Sequence, residues 1–253
     1  MQRKAENILI TGAAKRIGRA MALELGAAGF GIAVHYNGSH SDAEEVVREI
    51  ADKGGRAVAV QADLTDSAST ATLVERANNA LGPLSIVVNN ASLFEEDSVE
   101  NFDDEGFDAH MAVHVKAPAL IARSFAKQLV GAPGLVVNII DERVWKLTPR
   151  YFTYTLSKAA LWTATRTMAQ ALAPSIRVNA IGPGPTLPNQ KQDEDAFRRQ
   201  TEALILERGP ELSEFAHTIE YLWKMPSITG QMIALDGGQH LAWQTPDVAE
   251  DGA

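Results

Sequence analysis

Hydrophobic residues along the chain form short apolar runs that alternate with longer segments of helical periodicity. The first run, at 7–11, has the length of a buried strand, and after it Ile17, Met21 and Leu25 mark one face of a helix. The alternation then repeats to the end of the chain. It predicts strands near 7–11, 32–35, 57–60, 86–89, 135–140, 176–181 and 232–235, and helices near 17–28, 41–53, 67–81, 107–130, 151–172 and 211–224.

Strict alternation of strands and helices predicts a single α/β domain. Strands separated by a helix pair in parallel through right-handed crossovers, so we expect a sheet of about seven strands with helices on both faces. This is the doubly wound, Rossmann-type architecture. The domain is predicted to span 1–245, with a mobile substrate loop at 186–210, and to be followed by a flexible tail at 246–253.

Composition and charge exclude several classes of function. The formal net charge is -9 and no long run of lysine and arginine occurs, which argues against a nucleic-acid partner. Cysteine is absent and the histidines show no metal-ligand spacing, so we expect no metal site. No apolar run is long enough for a signal peptide or a membrane span. We therefore expect a cytoplasmic protein that acts on a small molecule and does not bind a membrane.

A glycine-containing turn joins the first predicted strand to the first predicted helix. Its sequence is Thr11-Gly12-Ala13-Ala14-Lys15-Arg16-Ile17-Gly18. Small residues let the backbone approach a pyrophosphate, and the N–H groups at a helix N-terminus bind it. Such turns also occur without a ligand, but the position after the first strand favours a dinucleotide. The predicted contacts are Gly12, Lys15, Arg16, Ile17 and Gly18.

The end of the second predicted strand indicates which dinucleotide is bound. An acidic residue there would bind the ribose 2′-hydroxyl of NAD, but this chain has His35, Tyr36 and Asn37. The guanidinium of Arg16, beside Lys15 in the turn, suits a 2′-phosphate. The alternative is that Arg16 is a solvated surface charge. The two features together predict NADP(H) as the cofactor, with the 35–37 segment beside it.

Tyr154 and Lys158 are the candidate centre of the chemistry. They lie four positions apart in a predicted helix, so their side chains share one face. A nearby ammonium, together with the positive nicotinamide of an oxidised cofactor, favours the phenolate and is expected to lower the pKa of Tyr154 from its ordinary value near ~10. The pair thus predicts proton donation by Tyr154 as hydride arrives. The spacing alone is not specific.

A set of motifs in a fixed order resembles the short-chain dehydrogenase/reductase family over nearly the full chain. The motifs are Thr11 to Gly18, Ala62-Asp63-Leu64, Asn89-Asn90-Ala91-Ser92, Tyr154 to Lys158, Arg177-Val178-Asn179, Pro183-Gly184 and Asp236-Gly237-Gly238. The resemblance implies cofactor contacts at Asp63, Leu64, Asn90, Ala91, Ser92, Lys158, Pro183 and Gly184. It further implies that Asp63 meets the adenine and that Lys158 holds the nicotinamide ribose and tunes Tyr154. A homotetramer is also implied, with helices 107–130 and 151–172 against partner copies.

Position 141 departs from the family pattern. Most members have a serine about thirteen residues before the tyrosine, where it orients a carbonyl, whereas this chain has Asp141. A carboxylate suits a substrate with ring nitrogens, because it accepts from N–H groups. The pteridine reductase branch is similar: it shares this aspartate, the arginine in the turn, the His-Tyr pair and an aromatic residue like Phe94. Alternatively, Asp141 caps a loop and Phe94 packs in the core.

The pteridine reductase resemblance implies a substrate site and a catalytic group. The implied catalytic residues are Asp141, Tyr154 and Lys158, and the implied substrate contacts are Arg16, Ser92, Phe94, Asp141 and Tyr154. A second departure is His114, where the family usually has an asparagine that supports a water between the lysine and solvent. His114 is either a proton carrier with a pKa near neutrality or a buried structural histidine.

Three functions are compatible with these residues. The leading hypothesis is NADPH-dependent hydride transfer to a pterin-like C=N heterocycle. The second is a carbonyl reductase or alcohol dehydrogenase in which Asp141 is an unusual residue. The third is a non-catalytic NADPH-binding regulator, which His114 favours and the intact Tyr154/Lys158 pair opposes.

Overall fold

A computed structural model describes residues 6–129, 131–188 and 193–243. The strands are β1 Asn7–Ile10, β2 Gly31–Tyr36, β3 Arg56–Gln61, β4 Ile86–Asn89, β5 Gly134–Ile139, β6 Ile176–Pro183 and β7 Met232–Leu235. The α-helices are α1 Arg16–Ala27, α2 His40–Asp52, α3 Ser67–Leu81, α4 Asp104–Met111, α5 Ala117–Gln128, α6 Phe152–Leu172, α7 Glu194–Glu202 and α8 Leu212–Lys224. A π-helical segment, Ala112–Lys116, joins α4 to α5, and short 3₁₀ helices lie at Glu142–Val144 and Gln239–Leu241.

The strands form one parallel sheet in the order β3-β2-β1-β4-β5-β6-β7. The chain moves outwards from β1 to β3 and then returns to place β4 on the other side of β1. Loops after β1 and β4 therefore leave the sheet in opposite directions and open a crevice at the carboxyl ends of the strands, where ligands of such sheets bind. The predicted doubly wound sheet of about seven strands is confirmed.

Helices cover both faces of the sheet, because alternate residues of a strand point to opposite sides. Ile8 and Ile10 of β1 pack in a buried cluster with residues of α1, α2 and α8. Leu9 between them packs with residues of α3, α5 and α6. Burial on both faces explains why the strands are continuous apolar runs in the sequence.

The long helix predicted at 107–130 differs from the structure in its bounds and its continuity. It begins at Asp104, because the side chain of Asp103 accepts a hydrogen bond from the Gly106 N–H at 2.7 Å and caps the first turn. It is interrupted by the π-helical segment and ends at Gln128. Hydrophobic periodicity does not reveal one extra residue in a turn, so the interruption was not predicted.

The segment predicted as a loop at 186–210 contains α7. The side chain of Asp193 accepts a hydrogen bond from the Ala196 N–H at 2.6 Å and begins that helix. Residues 189–192 of the loop and the predicted tail at 246–253 lie outside the described residues. The helix predicted at 151–172 begins at Phe152, after Tyr151 in the left-handed region with φ 58°.

Candidate active site

The turn after β1 packs tightly against the loop after β4. Gly12 has φ +64°, and a Cβ there would lie 2.9 Å from the Cα of Ala91. A Cβ at Gly18 would lie 2.1 Å from the carbonyl oxygen of Gly12. The Thr11 hydroxyl accepts from the N–H groups of Asn90 at 2.8 Å and Ala91 at 2.9 Å, which joins turn and loop. Glycine is required at both positions because no larger residue leaves room for this approach.

His35 holds the turn from behind. Its Nδ1 accepts a hydrogen bond from the Gly12 N–H at 2.9 Å, so the ring proton is on Nε2, which donates to the Ala62 carbonyl at 3.1 Å. Burial lowers the pKa of His35 to about 4. The backbone uses both ring nitrogens, so His35 fixes the ends of the first three strands rather than offering a nitrogen to a phosphate. This corrects the expected direct contact, since His35 acts on the cofactor site through the turn.

The neutral state of His35 predicts a loss of stability in acid. The unfolded chain binds a proton near pH 6.5, whereas the folded protein resists protonation until about pH 4. The stabilisation is full above pH 6.5 and is lost as the pH falls towards 4, by roughly 3 kcal/mol. Urea unfolding at several pH values is expected to show a shallower pH slope in His35→Asn than in the parent protein. An equal slope in both, with exposed His217→Gln as control, would contradict the assignment.

The two cations of the turn are engaged with other parts of the chain. The ammonium of Lys15 lies 3.2 Å from the Asp42 carboxylate on α2, and both side chains are well exposed. Arg16, with φ 52°, donates from Nη2 to the carbonyl oxygens of Leu187 at 3.4 Å and Pro188 at 3.1 Å. Arg16 therefore lies between the phosphate turn and the segment that follows β6.

The far end of the crevice has polar groups at the ends of β2 and β3. The Tyr36 hydroxyl is 2.8 Å from His40 Nδ1 at the start of α2, and the amide of Gln61 donates to the Asn37 carbonyl at 3.4 Å. Asp63 Oδ1 accepts from the hydroxyl of Thr65 at 2.7 Å and from its N–H at 2.8 Å. These bonds from Thr65 lower the pKa of Asp63 and keep it ionised.

At the other end, the segment after β6 approaches β7 backbone to backbone. The Gly184 N–H donates to the Leu235 carbonyl at 2.8 Å. A Cβ at Gly184 would lie 2.7 Å from the Cα of Asp236. Pro183 ends β6 immediately before this contact. The sequence motif at 183–184 is therefore fixed against the 236–238 motif at the carboxyl edge of the sheet.

Asp141, Tyr154 and Lys158 come together at the carboxyl end of β5, as the sequence predicts. The Tyr154 hydroxyl donates to Asp141 Oδ2 at 2.8 Å. Lys158 Nζ donates to the Ile139 carbonyl at 2.9 Å and lies 5.5 Å from the centre of the Tyr154 ring. All three side chains are buried. The expected alternative that Asp141 is a loop cap holds as well, because Asp141 Oδ1 accepts from the Arg143 N–H at 2.9 Å.

The electrostatics of Tyr154 differ from the expectation. Burial, followed by the charge and the hydrogen bond of Asp141, raises the pKa of Tyr154 well above its ordinary value. Burial lowers the pKa of Lys158 to about 8, against the opposing effect of Asp141. Lys158 by itself therefore does not produce the expected lowering of the Tyr154 pKa, since burial and a carboxylate in contact outweigh a more distant ammonium. Tyr154 is a neutral phenol at neutral pH, which is the form that donates a proton.

Two residues next to Asp141 were missed by sequence reasoning. Arg143 Nη1 lies 3.2 Å from Asp141 Oδ2, so Asp141 accepts from Tyr154 and from both the backbone N–H and the guanidinium of Arg143. Glu142 is buried, and burial together with the charge of Asp141 raises its pKa to about 7. The only indication in the sequence that Glu142 and Arg143 belong to the site is that they follow Asp141 directly. Arg143 compensates the negative charge that Asp141 brings into the site.

An aromatic face lies beside the phenol of Tyr154. The Phe94 ring stacks on Tyr151, with centres 4.4 Å apart, and meets the Tyr154 ring edge-on at 4.8 Å. The Arg143 guanidinium lies 5.5 Å from the Phe94 centre and 5.3 Å from the Tyr151 centre. Phe94 is 39% exposed, so core packing does not explain it. Trp145, by contrast, packs against Trp162 and His240.

His114 lies behind the site in the π-helical segment. It is buried between Ser92 Oγ, 3.0 Å from Nε2, and Ser157 Oγ, 2.7 Å from Nδ1. Burial, with the charge of Lys158, lowers the pKa of His114 well below its ordinary value. His114 is therefore neutral, which favours the structural alternative over a proton carrier that titrates near neutrality.

Residues 6–129, 131–188 and 193–243 contain neither a metal-binding cluster nor a membrane-spanning helix. Across these ranges, no group of three or more histidine, aspartate or glutamate side chains is arranged to hold a metal ion. None of the helices found there combines the length and the apolar character needed to cross a membrane.

Known proteins are similar to this chain over nearly its whole length. Residues 12–240 match a family model described as enoyl-(acyl carrier protein) reductase. A short-chain type dehydrogenase/reductase from Picea abies is 32% identical, over 91% of each chain. The structure of FolM alternative dihydrofolate reductase 1 from Brucella canis, complexed with NADP, is 54% identical over 96% of this chain and 97% of that one, with a TM-score of 0.93. The NADP complex of the enzyme of the same name from Brucella suis is 53% identical over 98% of this chain and 100% of that one, with a TM-score of 0.94.

Proposed function

Because the chain belongs to the short-chain dehydrogenase/reductase family, we propose that it transfers hydride from NADPH to a C=N bond of a pteridine, with Tyr154 as the proton donor. The observation that carries this proposal is the 2.8 Å hydrogen bond from Tyr154 to Asp141, a carboxylate where most of the family has a hydroxyl. Similarity at 54% identity to a protein named as a dihydrofolate reductase supports a substrate of this class, dihydrofolate or a dihydropterin.

The residues of the crevice suit NADP(H). The turn has no room for a side chain at Gly12 or Gly18, so its backbone can approach a ligand closely. The side chain of Lys15, the N-cap residue of α1, makes no capping hydrogen bond within the described chain. The backbone N–H groups at the start of α1 are therefore available to a pyrophosphate. Arg16 and Lys15 supply positive charge for a 2′-phosphate. Asp63 Oδ1 accepts two hydrogen bonds from Thr65, and the carboxylate is exposed enough to accept from an adenine amino group as well. Bound NADPH supplies the hydride.

The buried side chains then handle the proton. Tyr154 Oη carries a proton that is held at neutral pH and can pass to a substrate ring nitrogen. The phenolate left behind is stabilised by the ammonium of Lys158, which stays charged below about pH 8. Asp141, which accepts hydrogen bonds from the backbone and the guanidinium of Arg143, can also accept N–H groups of the pteridine. The Phe94 ring is 39% exposed and is suited to stack on a flat heterocycle, and we expect Ser92 and Arg16 to contact the same substrate.

A substrate panel tests the proposal. Purified protein with NADPH, and separately with NADH, is offered dihydrofolate, dihydrobiopterin, simple ketones, a 3-oxoacyl thioester and quinones, and the loss of reduced cofactor is followed. We expect turnover of the two pteridines with NADPH. Turnover of ketones or the thioester alone would favour a carbonyl reductase, which the similarity to 3-oxoacyl-[acyl-carrier-protein] reductases makes the second candidate. Cofactor binding without any turnover would favour a non-catalytic protein.

Cofactor choice gives a separate prediction for Arg16. Arg16→Ala is expected to weaken NADPH binding by about 10–100-fold, the value of a charge-assisted contact to phosphate, and NADH binding much less. The measurement is the dissociation constant of each cofactor from nucleotide fluorescence. Arg19→Ala is the matched control, since Arg19 lies one turn further along α1 and pairs with Glu49. Equal losses for both cofactors would contradict the role of Arg16 at the 2′-phosphate.

The assembly and the compartment of the protein are two further parts of the proposal. We expect a homotetramer in which α5 and α6 face partner copies, as the resemblance implied. A shallow apolar groove between these helices, lined by Ala122, Ala126, Met168 and Leu172 among others, supports this. Light scattering after gel filtration checks it, and a monomer would contradict it. The absence of cysteine is compatible with the reducing cytoplasm.

A further inference from the structure

We propose that His114 is a positioning residue, which ties the loop after β4, with Ser92 and Phe94, to the catalytic helix α6. Through this tie it sets where the aromatic face of Phe94 meets the phenol of Tyr154. The inference rests on the proposed function in one respect, that Phe94 contacts the substrate.

The hydrogen-bond partners determine the tautomer of His114. The backbone N–H of Leu93 is 3.1 Å from Nε2 and can only donate, so Nε2 is an acceptor without a proton. The proton is therefore on Nδ1, which donates to the Ser157 hydroxyl at 2.7 Å. That hydroxyl in turn donates to the carbonyl oxygen of Tyr154 at 2.7 Å. One chain of directed hydrogen bonds thus runs from the loop backbone to the backbone of the catalytic tyrosine.

The imidazole ring also contacts the tyrosine side chain directly. The His114 ring meets the Tyr154 ring edge-on, with centres 5.5 Å apart and an interplanar angle of 88°. Phe94, carried by the tied loop, meets the Tyr154 ring at 4.8 Å and 89°. The imidazole of His114 therefore contacts the phenol ring directly and holds the loop that carries Phe94. This side chain is 1% exposed.

The wide turn of the π-helical segment brings this ring into place. The segment spans Ala112–Lys116, with His114 at its middle. The family's usual asparagine is shorter than histidine and cannot bridge Leu93 and Ser157 at once. Because the protein uses both ring nitrogens of His114, it has none left for a water on the path to Lys158.

Two amide substitutions separate the two halves of the tie. In His114→Asn the amide nitrogen takes the place of Nδ1, which keeps the bond to Ser157 and removes the acceptor for Leu93. In His114→Gln the amide oxygen takes the place of Nε2, which keeps the acceptor for Leu93. Amide hydrogen exchange of residues 91–95 is expected to become about tenfold faster in His114→Asn, as for the loss of one buried hydrogen bond, and to change less than about twofold in His114→Gln.

Steady-state kinetics test the consequence for the substrate. We expect His114→Asn to raise KM for dihydrofolate by about tenfold with a much smaller change in kcat, and His114→Gln to restore KM. The matched control is His110→Asn. His110 is buried one turn earlier, and its ring also meets the rings of His114 and Tyr154 edge-on, at 5.5 and 6.4 Å. It bonds to the Gly106 carbonyl rather than to the loop, so His110→Asn removes a neighbouring ring without breaking the tie and is expected to leave KM unchanged.

Three outcomes overturn the proposal. Unchanged exchange at residues 91–95 in His114→Asn would show that no tie exists. Faster exchange with an unchanged KM would show that the tie does not position the substrate, and an equal rise of KM in His110→Asn would show a general effect of helix damage. If the parent protein turns over no pteridine, the proposed function fails, and the exchange comparison still decides whether His114 ties the loop.

Discussion

Replacement of Tyr154 by phenylalanine is expected to lower kcat for dihydropteridine reduction by roughly 10²–10⁴-fold, the usual contribution of a positioned acid. The substitution removes the hydroxyl that donates to Asp141 and leaves the ring, with its edge contacts to Phe94 and His114. The fold and the crevice are therefore preserved. NADPH affinity, measured by nucleotide fluorescence, is expected to change less than about threefold.

Thr155→Val is the matched control for Tyr154→Phe. Thr155 is the next residue of α6 and is buried, and its substitution by valine also removes one hydroxyl group. It is expected to keep kcat, so a loss confined to Tyr154→Phe identifies the phenol rather than any buried hydroxyl of this helix. Retention of most of the rate by Tyr154→Phe would remove Tyr154 from the mechanism.

Replacement of Asp141 by serine is expected to change the class of substrate. Serine restores the hydroxyl that most of the family uses to orient a carbonyl, and it removes the acceptor for pteridine N–H groups. We expect pteridine turnover to fall by about 10²-fold, as for loss of a charged hydrogen-bond partner, and measurable ketone turnover to emerge. Because Asp141 raises the pKa of both Tyr154 and Lys158, both values are expected to fall in the variant.

The control for Asp141→Ser is Glu142→Gln. Glu142 is the adjacent buried carboxyl, and it does not bond to Tyr154 in the described chain. Its substitution is expected to leave the ratio of pteridine to ketone turnover unchanged. If Asp141→Ser keeps full pteridine activity, the carboxylate does not select the substrate class, and the proposed function loses the observation that carries it.

The sequence predicted the sheet and the proximity of Tyr154, Lys158 and Asp141 for physical reasons. Strands buried on both faces must be continuous apolar runs, so their order and spacing are visible without a structure. Tyr154 and Lys158 share a helix, where spacing alone fixes a common face. Asp141 was found through its place in a family motif, because a residue outside that helix has no periodic relation to Tyr154.

The parts that sequence reasoning missed depend on distances between separate elements. The sign of the pKa shift at Tyr154 depends first on the burial of the phenol and then on its 2.8 Å contact with Asp141, and neither can be read from spacing. The role of His35 likewise depends on the turn after β1 folding back to place the Gly12 N–H at its ring. Arg143 was missed because its guanidinium folds back onto Asp141, two residues earlier in the chain. This contact depends on the local backbone conformation, which no sequence pattern reveals.

The π-helical segment at Ala112–Lys116 also bears on how related chains are aligned. Each residue of an α-helix turns its successors by about 100° about the axis. A chain one residue shorter in this segment would have a regular helix and would present the same stripe of α5 to α3, with the counterparts of Ile121 and Phe125 still in the buried cluster, because the wide turn absorbs the extra residue. An ungapped comparison with such a chain would equate residues on different faces, so a one-residue insertion inside a helix is the physically correct alignment there.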